Sequence, residues 1–183
     1  MANGLFIRAG AYVFALAVLL LVCRLKRLPL RDTLGLYVPK TREALLYSFF
    51  FICLVTVGEW FASILGLSPA AKWHAASHTA MAIRILSIVV LAPAMEELLF
   101  RGLLYTQINK TRLKAMGAIA LPALLFTAAH YDKQLTAATY VLLVQIFIDG
   151  VYFGLIRYKT NSTLLTIVLH AAGNSFAVFQ RMT

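Results

Sequence analysis

Six long apolar runs, each bounded by polar or basic residues, divide the chain: Leu5 to Val22, Ala44 to Leu67, Met81 to Tyr105, Ala115 to His130, Ala138 to Ile156 and Leu164 to Phe179. About 20 apolar residues cross a bilayer as a helix, and in lipid a helix satisfies every backbone polar group within its own segment. The pattern predicts an all-α fold, a polytopic transmembrane helix bundle of about six crossings. Composition agrees, with 61% hydrophobic and 13% charged residues against about 25% charged in soluble domains, and a mean hydropathy of +0.81. The runs leave no room for a separate soluble unit, so residues 1–183 read as a single integral-membrane domain. The first run lacks a small-residue cleavage site and is followed by Arg24, Lys26 and Arg27, which favours a retained anchor over a signal peptide.

Charge changes the picture in one respect. The net charge of +10 does not gather on one face or alternate with stacking aromatics, so nucleic acid is not an expected partner. The basic residues lie between the apolar runs, and short cytoplasmic loops hold their excess. Arg24, Lys26, Arg27, Arg31, Lys40, Arg42, Lys110, Arg112, Lys114, Arg157 and Lys159 fall on one side; Arg8, Lys72, Arg84, Lys133 and Arg181 fall on the other. Eleven against five puts both termini on the non-cytoplasmic side. Cys23 and Cys53 lie in separate apolar runs without metal-type spacing and are expected to be buried thiols.

A charge at bilayer depth costs several kcal/mol and is a functional hypothesis by default. The runs contain Glu59, Glu96, Glu97, Arg101, His130, Asp149 and His170, together with Asn174. Glu97 and Arg101 are four apart, the spacing at which a carboxylate meets a guanidinium on one helix face. Glu96 points roughly 100° away and is left free for a water-filled cavity. His170 and Asn174 are also four apart, and Ala171, Ala172 and Gly173 between them allow close approach by a helix or a peptide backbone.

The strings Glu96-Glu97-x-x-x-Arg101, Phe126-x-x-x-His130 and His170-x-x-x-Asn174, in this order on successive apolar segments, resemble the CAAX prenyl endopeptidase and bacteriocin-processing family of glutamic intramembrane proteases. The resemblance covers residues 96–174, and the compact chain looks more like a bacterial or archaeal member of the prokaryotic cytoplasmic membrane than the longer eukaryotic enzymes. It implies an endopeptidase without a cofactor, acting on a membrane-tethered, lipidated or otherwise hydrophobic peptide. In that mechanism Glu96 is the general base and holds a water with His130, and His170 and Asn174 donate to the oxyanion. Glu97 and Arg101 hold the helix in register.

Two other readings stand beside it. Glu96, His130 and His170 supply the two histidines and one carboxylate of an open zinc site, although the His-Glu-x-x-His helix is absent; or the polar residues belong to a non-enzymatic immunity factor, scaffold or small transporter. Glu59 and Asp149 are expected to line the cavity or to pair with Arg84, Arg157 or a backbone donor. His74 and His78, near Trp73, read as interfacial anchors, and Tyr47, Phe49, Phe50 and Phe51 as lipid-facing. Depth poses a difficulty: a straight bundle leaves Glu96 and His130 about 10 Å apart along the membrane normal. A kink at Pro122, or a surface segment reaching Gly117, would close that gap.

Overall fold

A computed structural model describes residues 2–67, 73, 77–131 and 136–182. It is helical, with no strand among the described residues. The helices are α1 (Ala2–Leu25), α2 (Leu30–Leu34), α3 (Thr41–Ile64), α4 (His78–Leu86), α5 (Ala92–Glu97), α6 (Tyr105–Asn109), α7 (Lys114–Ala129), α8 (Ala137–Thr160) and α9 (Thr163–Met182). Four of them are long and apolar enough to cross a membrane: α1 from Phe6, α3, α8 and α9. α7 is a shorter apolar helix. The protein is therefore a helical membrane bundle, and its outward surface is apolar in keeping with lipid contact, as at Phe14, Phe49 and Trp60.

The third predicted crossing is a composite. α4, α5 and α6 follow one another without a break, joined by two π-helical stretches, Ser87–Leu91 and Leu98–Leu104. Pro93 explains the first. A buried proline removes one backbone donor and its ring clashes with the carbonyl four residues back, and a π-turn relieves that clash by admitting an extra residue. In this turn Ala92 N–H reaches back five residues to Ser87 O. Ser77 starts the composite helix by accepting the Ala80 N–H at 3.2 Å, and Thr136 starts α8 by accepting Thr139 N–H at the same distance, as capping hydroxyls do.

Two apolar clusters hold the bundle. Phe51, Phe153, Ile156, Leu165 and Leu169 join α3, α8 and α9, and Leu19, Cys23 and Leu34 join α1 to α2 against Leu98, Leu99 and Leu103. α7 and α8 pack most intimately, and Gly150 permits it: a Cβ there would lie 3.1 Å from Ala123 Cβ.

The segment between α1 and α3 departs from the expected loop. Its short helix α2 ends at Gly35 in the left-handed region, φ +65°, and a Cβ at that position would lie 2.5 Å from Arg157 Nε. Only glycine meets both demands. Gly35 O accepts Thr163 N–H at 2.8 Å, which ties the segment to the start of α9. Arg157, assigned to a loop by the pattern, is instead buried within the last turns of α8. Its Nε donates to Arg101 O at 3.0 Å, Nη1 donates to Asn161 Oδ1, and Nη2 reaches Thr106 Oγ1 at 3.4 Å and Asp32 O at 3.5 Å. α8 runs on to Thr160 and stops at Asn161, which is in the left-handed region at φ +57°, and the charge count loses one of its eleven residues.

Other expectations change for similar reasons. Cys23 is buried as expected, but Cys53 is exposed, lying on the outward side of α3. Phe49 and Phe50 face outward while Phe51 is in the core and Tyr47 packs against it, because successive residues on a helix point about 100° apart. The Tyr152 hydroxyl donates to Tyr47 O at 2.6 Å. Trp73 lies between the guanidinium groups of Arg84 and Arg181, 5.0 and 5.7 Å from its ring. His78 is exposed at the start of α4, and His74 lies outside the described residues.

Candidate active site

Glu97 is the most buried acid among the described residues, with no exposed surface. Its Oε1 accepts Arg101 Nη1 at 2.9 Å, so the expected pair forms. Arg101, 1% exposed, also donates from Nη2 to Gly150 O at 3.1 Å and lies 4.7 Å from the Phe126 ring centre. Glu97 Oε2 and Arg101 Nε have no partner among the described residues, yet the two ions neutralise each other. Removal of either would leave an uncompensated buried charge.

The same Glu97 oxygen makes a contact absent from the sequence reading. It accepts His170 Nδ1 at 3.0 Å, across 73 residues of chain. A carboxylate oxygen paired with Arg101 acts as an acceptor, so Nδ1 is the donor here, and the other ring nitrogen is directed at the second glutamate: His170 Nε2 lies 3.8 Å from Glu96 Oε2. One histidine of α9 is thus aimed by Glu97 and faces Glu96, an arrangement in which a carboxylate fixes both the ring's orientation and its tautomer. Tyr12 of α1 lies within electrostatic reach of Glu96.

His130 caps α7, and its Nδ1 donates to Phe126 O at 2.8 Å. A carbonyl can only accept, which leaves Nε2 with a lone pair for a donor such as water. Phe126 separates the two histidines, with its ring 4.6 Å from that of His130 and 5.7 Å from that of His170, and Phe153 stacks on His170 from the far side at 5.6 Å. The expected depth mismatch shrinks for a simple reason. The composite helix continues to Asn109, which places Glu96 roughly 20 Å from its end, while His130 lies roughly 24 Å along α7; the remaining difference is under one turn.

A cavity of about 410 Å³ adjoins this cluster. His130, His170 and Asn174 line it, as do Asp149 and Glu59; Glu96 is not among its lining residues and borders it through His170. Asn174 Nδ2 donates to Ile88 O at 2.8 Å. Ile88 lies in the first π-turn, and the residue five positions on, whose N–H such a turn would offer, is Pro93, which has none. Asn174 supplies the missing donor, and its second N–H has no hydrogen bond among the described residues. Glu59 accepts Gln180 Nε2 at 3.0 Å. Neither Glu59 nor Asp149 pairs with Arg84 or Arg157. Among the described residues no three His, Cys, Asp or Glu side chains converge as a metal site would require.

Residues 78–176, more than half of the chain, match the family of type II CAAX prenyl endopeptidase Rce1-like proteins. The chain belongs to that family. An uncharacterised 24.3 kDa protein of Escherichia coli is 33% identical over 89 residues, a match covering 48% of this chain and 39% of that protein's length. No solved structure matches. The Rce1-like segment runs from the start of α4 to the middle of α9, so it contains Glu96, Glu97, Arg101, His130, His170 and Asn174, and it leaves α1 to α3, with Glu59, outside. Within it the Phe126-x-x-x-His130 string carries a signal the sequence reading passed over. The phenylalanine is the ring on which both histidines and Arg101 rest. No spacing in the chain announces the Glu97–His170 contact, because it joins separate helices.

Proposed function

We propose that this protein is a glutamic-type intramembrane endopeptidase that hydrolyses a peptide bond in a membrane-associated or lipidated substrate. The observation that carries the reading is the convergence on His170, where Glu97 grips one ring nitrogen and Glu96 faces the other, beside a cavity that also receives His130 and Asn174.

The steps follow from the residues. Glu96 takes a proton from a water whose other hydrogen is accepted by His130 Nε2, the nitrogen left free by the bond to Phe126 O. The hydroxide so formed adds to the scissile carbonyl. Its electrons move onto oxygen, and the oxyanion is received by the free Asn174 N–H and by His170 Nε2 in its protonated form, stabilised beneath by Glu97. Preorganised donors of this type contribute roughly 3 kcal/mol each in other hydrolases. Collapse of the intermediate breaks the C–N bond, and Glu96 returns its proton to the departing amine. Phe126 and Phe153 clamp the His170 ring so that little reorganisation accompanies the reaction. On this reading the chain crosses a prokaryotic cytoplasmic membrane about six times with both termini outside. The lining of the cavity reaches Glu59, Gln180 and Arg181 near the ends of α3 and α9, and on this reading substrate and water arrive from that end of the bundle.

The test is the full chain in lipid nanodiscs, incubated with a library of membrane-tethered peptides and read by mass spectrometry for new termini. Wild-type protein is expected to generate a reproducible set of cleavages, and Glu96→Gln to lose them by about 10²–10⁴-fold with its circular dichroism unchanged. A well-folded Glu96→Gln protein with near-normal turnover would overturn the assignment.

A further inference from the structure

Two carboxylates project into the cavity without any task in the hydrolysis described above. Asp149, on the α8 face that also presents Leu142, Gln145, Ile146 and Phe153, has its Oδ1 buried with no hydrogen-bond partner among the described residues. Glu59 belongs to the facing stripe of α3, with Phe51 and Val55, and its hydrogen-bond donor is the neutral amide of Gln180. No Lys or Arg among the described residues forms an ion pair with either acid. Arg101 is held by Glu97. Arg181, the basic residue of the lining, donates to Ala177 O at 2.8 Å and lies over Trp73.

A carboxylate facing an apolar wall without a direct ion pair is costly, and a neutral occupant of the cavity would displace water from these acids without replacing it. A cationic occupant would form charge-assisted hydrogen bonds with them, which are roughly twice as strong as neutral ones. The two acids stand at successive levels. Gly58, beside Glu59, approaches the Gln145 side chain, and Asp149 lies one turn, about 6 Å, deeper along α8, within electrostatic reach of His170 and of Arg101 but in direct contact with neither. A lysine or arginine on a peptide lying along α8 would pass Glu59 near the mouth and come to rest at Asp149, beside the reacting groups.

We infer that the cavity selects peptides bearing a lysine or arginine close to the scissile bond, with Asp149 receiving the cationic head and Glu59 drawing it in. This deepens the proteolytic reading and rests on it, in that the cavity is taken as the peptide site. Asp149 and Glu59 are specificity residues, and no bond to the reacting atoms is assigned to them.

The experiment measures binding, which needs no turnover. Three blocked pentapeptides, acetyl-Leu-Leu-X-Leu-Leu-amide with X as Lys, norleucine or Glu, are titrated by thermophoresis against the full-length Glu96→Gln protein in neutral-lipid nanodiscs. The Lys peptide is expected to bind about tenfold tighter than its uncharged near-isostere or better, with the Glu peptide weakest. Asp149→Asn should erase most of this preference and Glu59→Gln part of it. Equal affinity for the three peptides, no binding of any of them, or a preference that survives in the Asp149→Asn, Glu59→Gln double variant overturns the inference. The comparison among peptides on the parent protein needs neither further variant to fold. Selective binding by a protein whose wild-type form cleaves nothing would discard the hydrolytic reading alone. Cleavage by wild type without selectivity would discard this inference alone.

Discussion

Arg157 and Asp149 lie on the same helix about two turns apart, and the fold treats them in opposite ways. Arg157 has all three guanidinium nitrogens engaged: by a backbone carbonyl of the composite helix, by the capping Asn161, and by Asp32 O of α2 and Thr106, with Gly35 pressed against its guanidinium. Asp149 faces a cavity and keeps one oxygen without a hydrogen-bond partner among the described residues. A charge whose hydrogen bonds are complete locks helices together and has nothing left for a ligand. A charge whose bonds are incomplete remains a cost until something arrives. The filled end of the bundle is therefore a clamp and the open end a receptor, and Glu97 is the residue that belongs to both.

Replacing that shared residue should have the largest effect. Glu97→Ala strands Arg101 in an apolar interior and releases His170, so both stability and turnover should fall. Chemical unfolding in detergent, followed by circular dichroism, should show a loss of about 3–5 kcal/mol, whereas Glu96→Gln should change stability by less than about 1 kcal/mol. Similar losses in the two variants would erase the proposed division of labour. Next comes Asn174→Ala on the open side. The reaction should slow by about 10²-fold in kcat with little change in KM, and an effect confined to KM would remove Asn174 from the oxyanion site. On the filled side, Gly35→Ala combines a left-handed backbone with a collision at Arg157, and the melting midpoint should drop by an amount equivalent to about 1–3 kcal/mol. Peptide affinity should be untouched, since α2 does not line the cavity. The smallest effect expected is none at all: exhaustive chelation should leave cleavage unchanged, and a loss restored by zinc would revive the metal reading.

The helices were legible because lipid imposes one pattern on every crossing, and the Glu97–Arg101 pair because both partners lie on one helix face. Arg157 misled the pattern: a basic residue near the end of an apolar run looks like a loop charge until the folded segment from Arg27 to Lys40 closes over it. The π-turns were invisible because Pro93 gives notice of a break in hydrogen bonding but not of how the backbone repairs it. For the candidate site, residue types and order were readable from the strings Glu96 to Arg101, Phe126 to His130 and His170 to Asn174. Their mutual contacts were not. Glu97 meeting His170, and Phe126 standing between two histidines, arise from how α7 and α9 pack on the composite helix, and intrahelical spacing carries no information about that.

The missing N–H of Pro93 has a mechanical consequence. A smooth helix beside α9 could slide or roll against it at little cost, because one ridge of apolar side chains resembles the next. The vacancy at Ile88 O works as a socket and the Asn174 amide as its dowel, which fixes both the height and the rotation of α9 at a single point. His170 stands one turn from that dowel on the same face, so the defect in one helix indexes the imidazole of another to the two glutamates. Alignment between Glu96 and His170 is thus set by an interruption in the backbone as much as by the side chains that meet there.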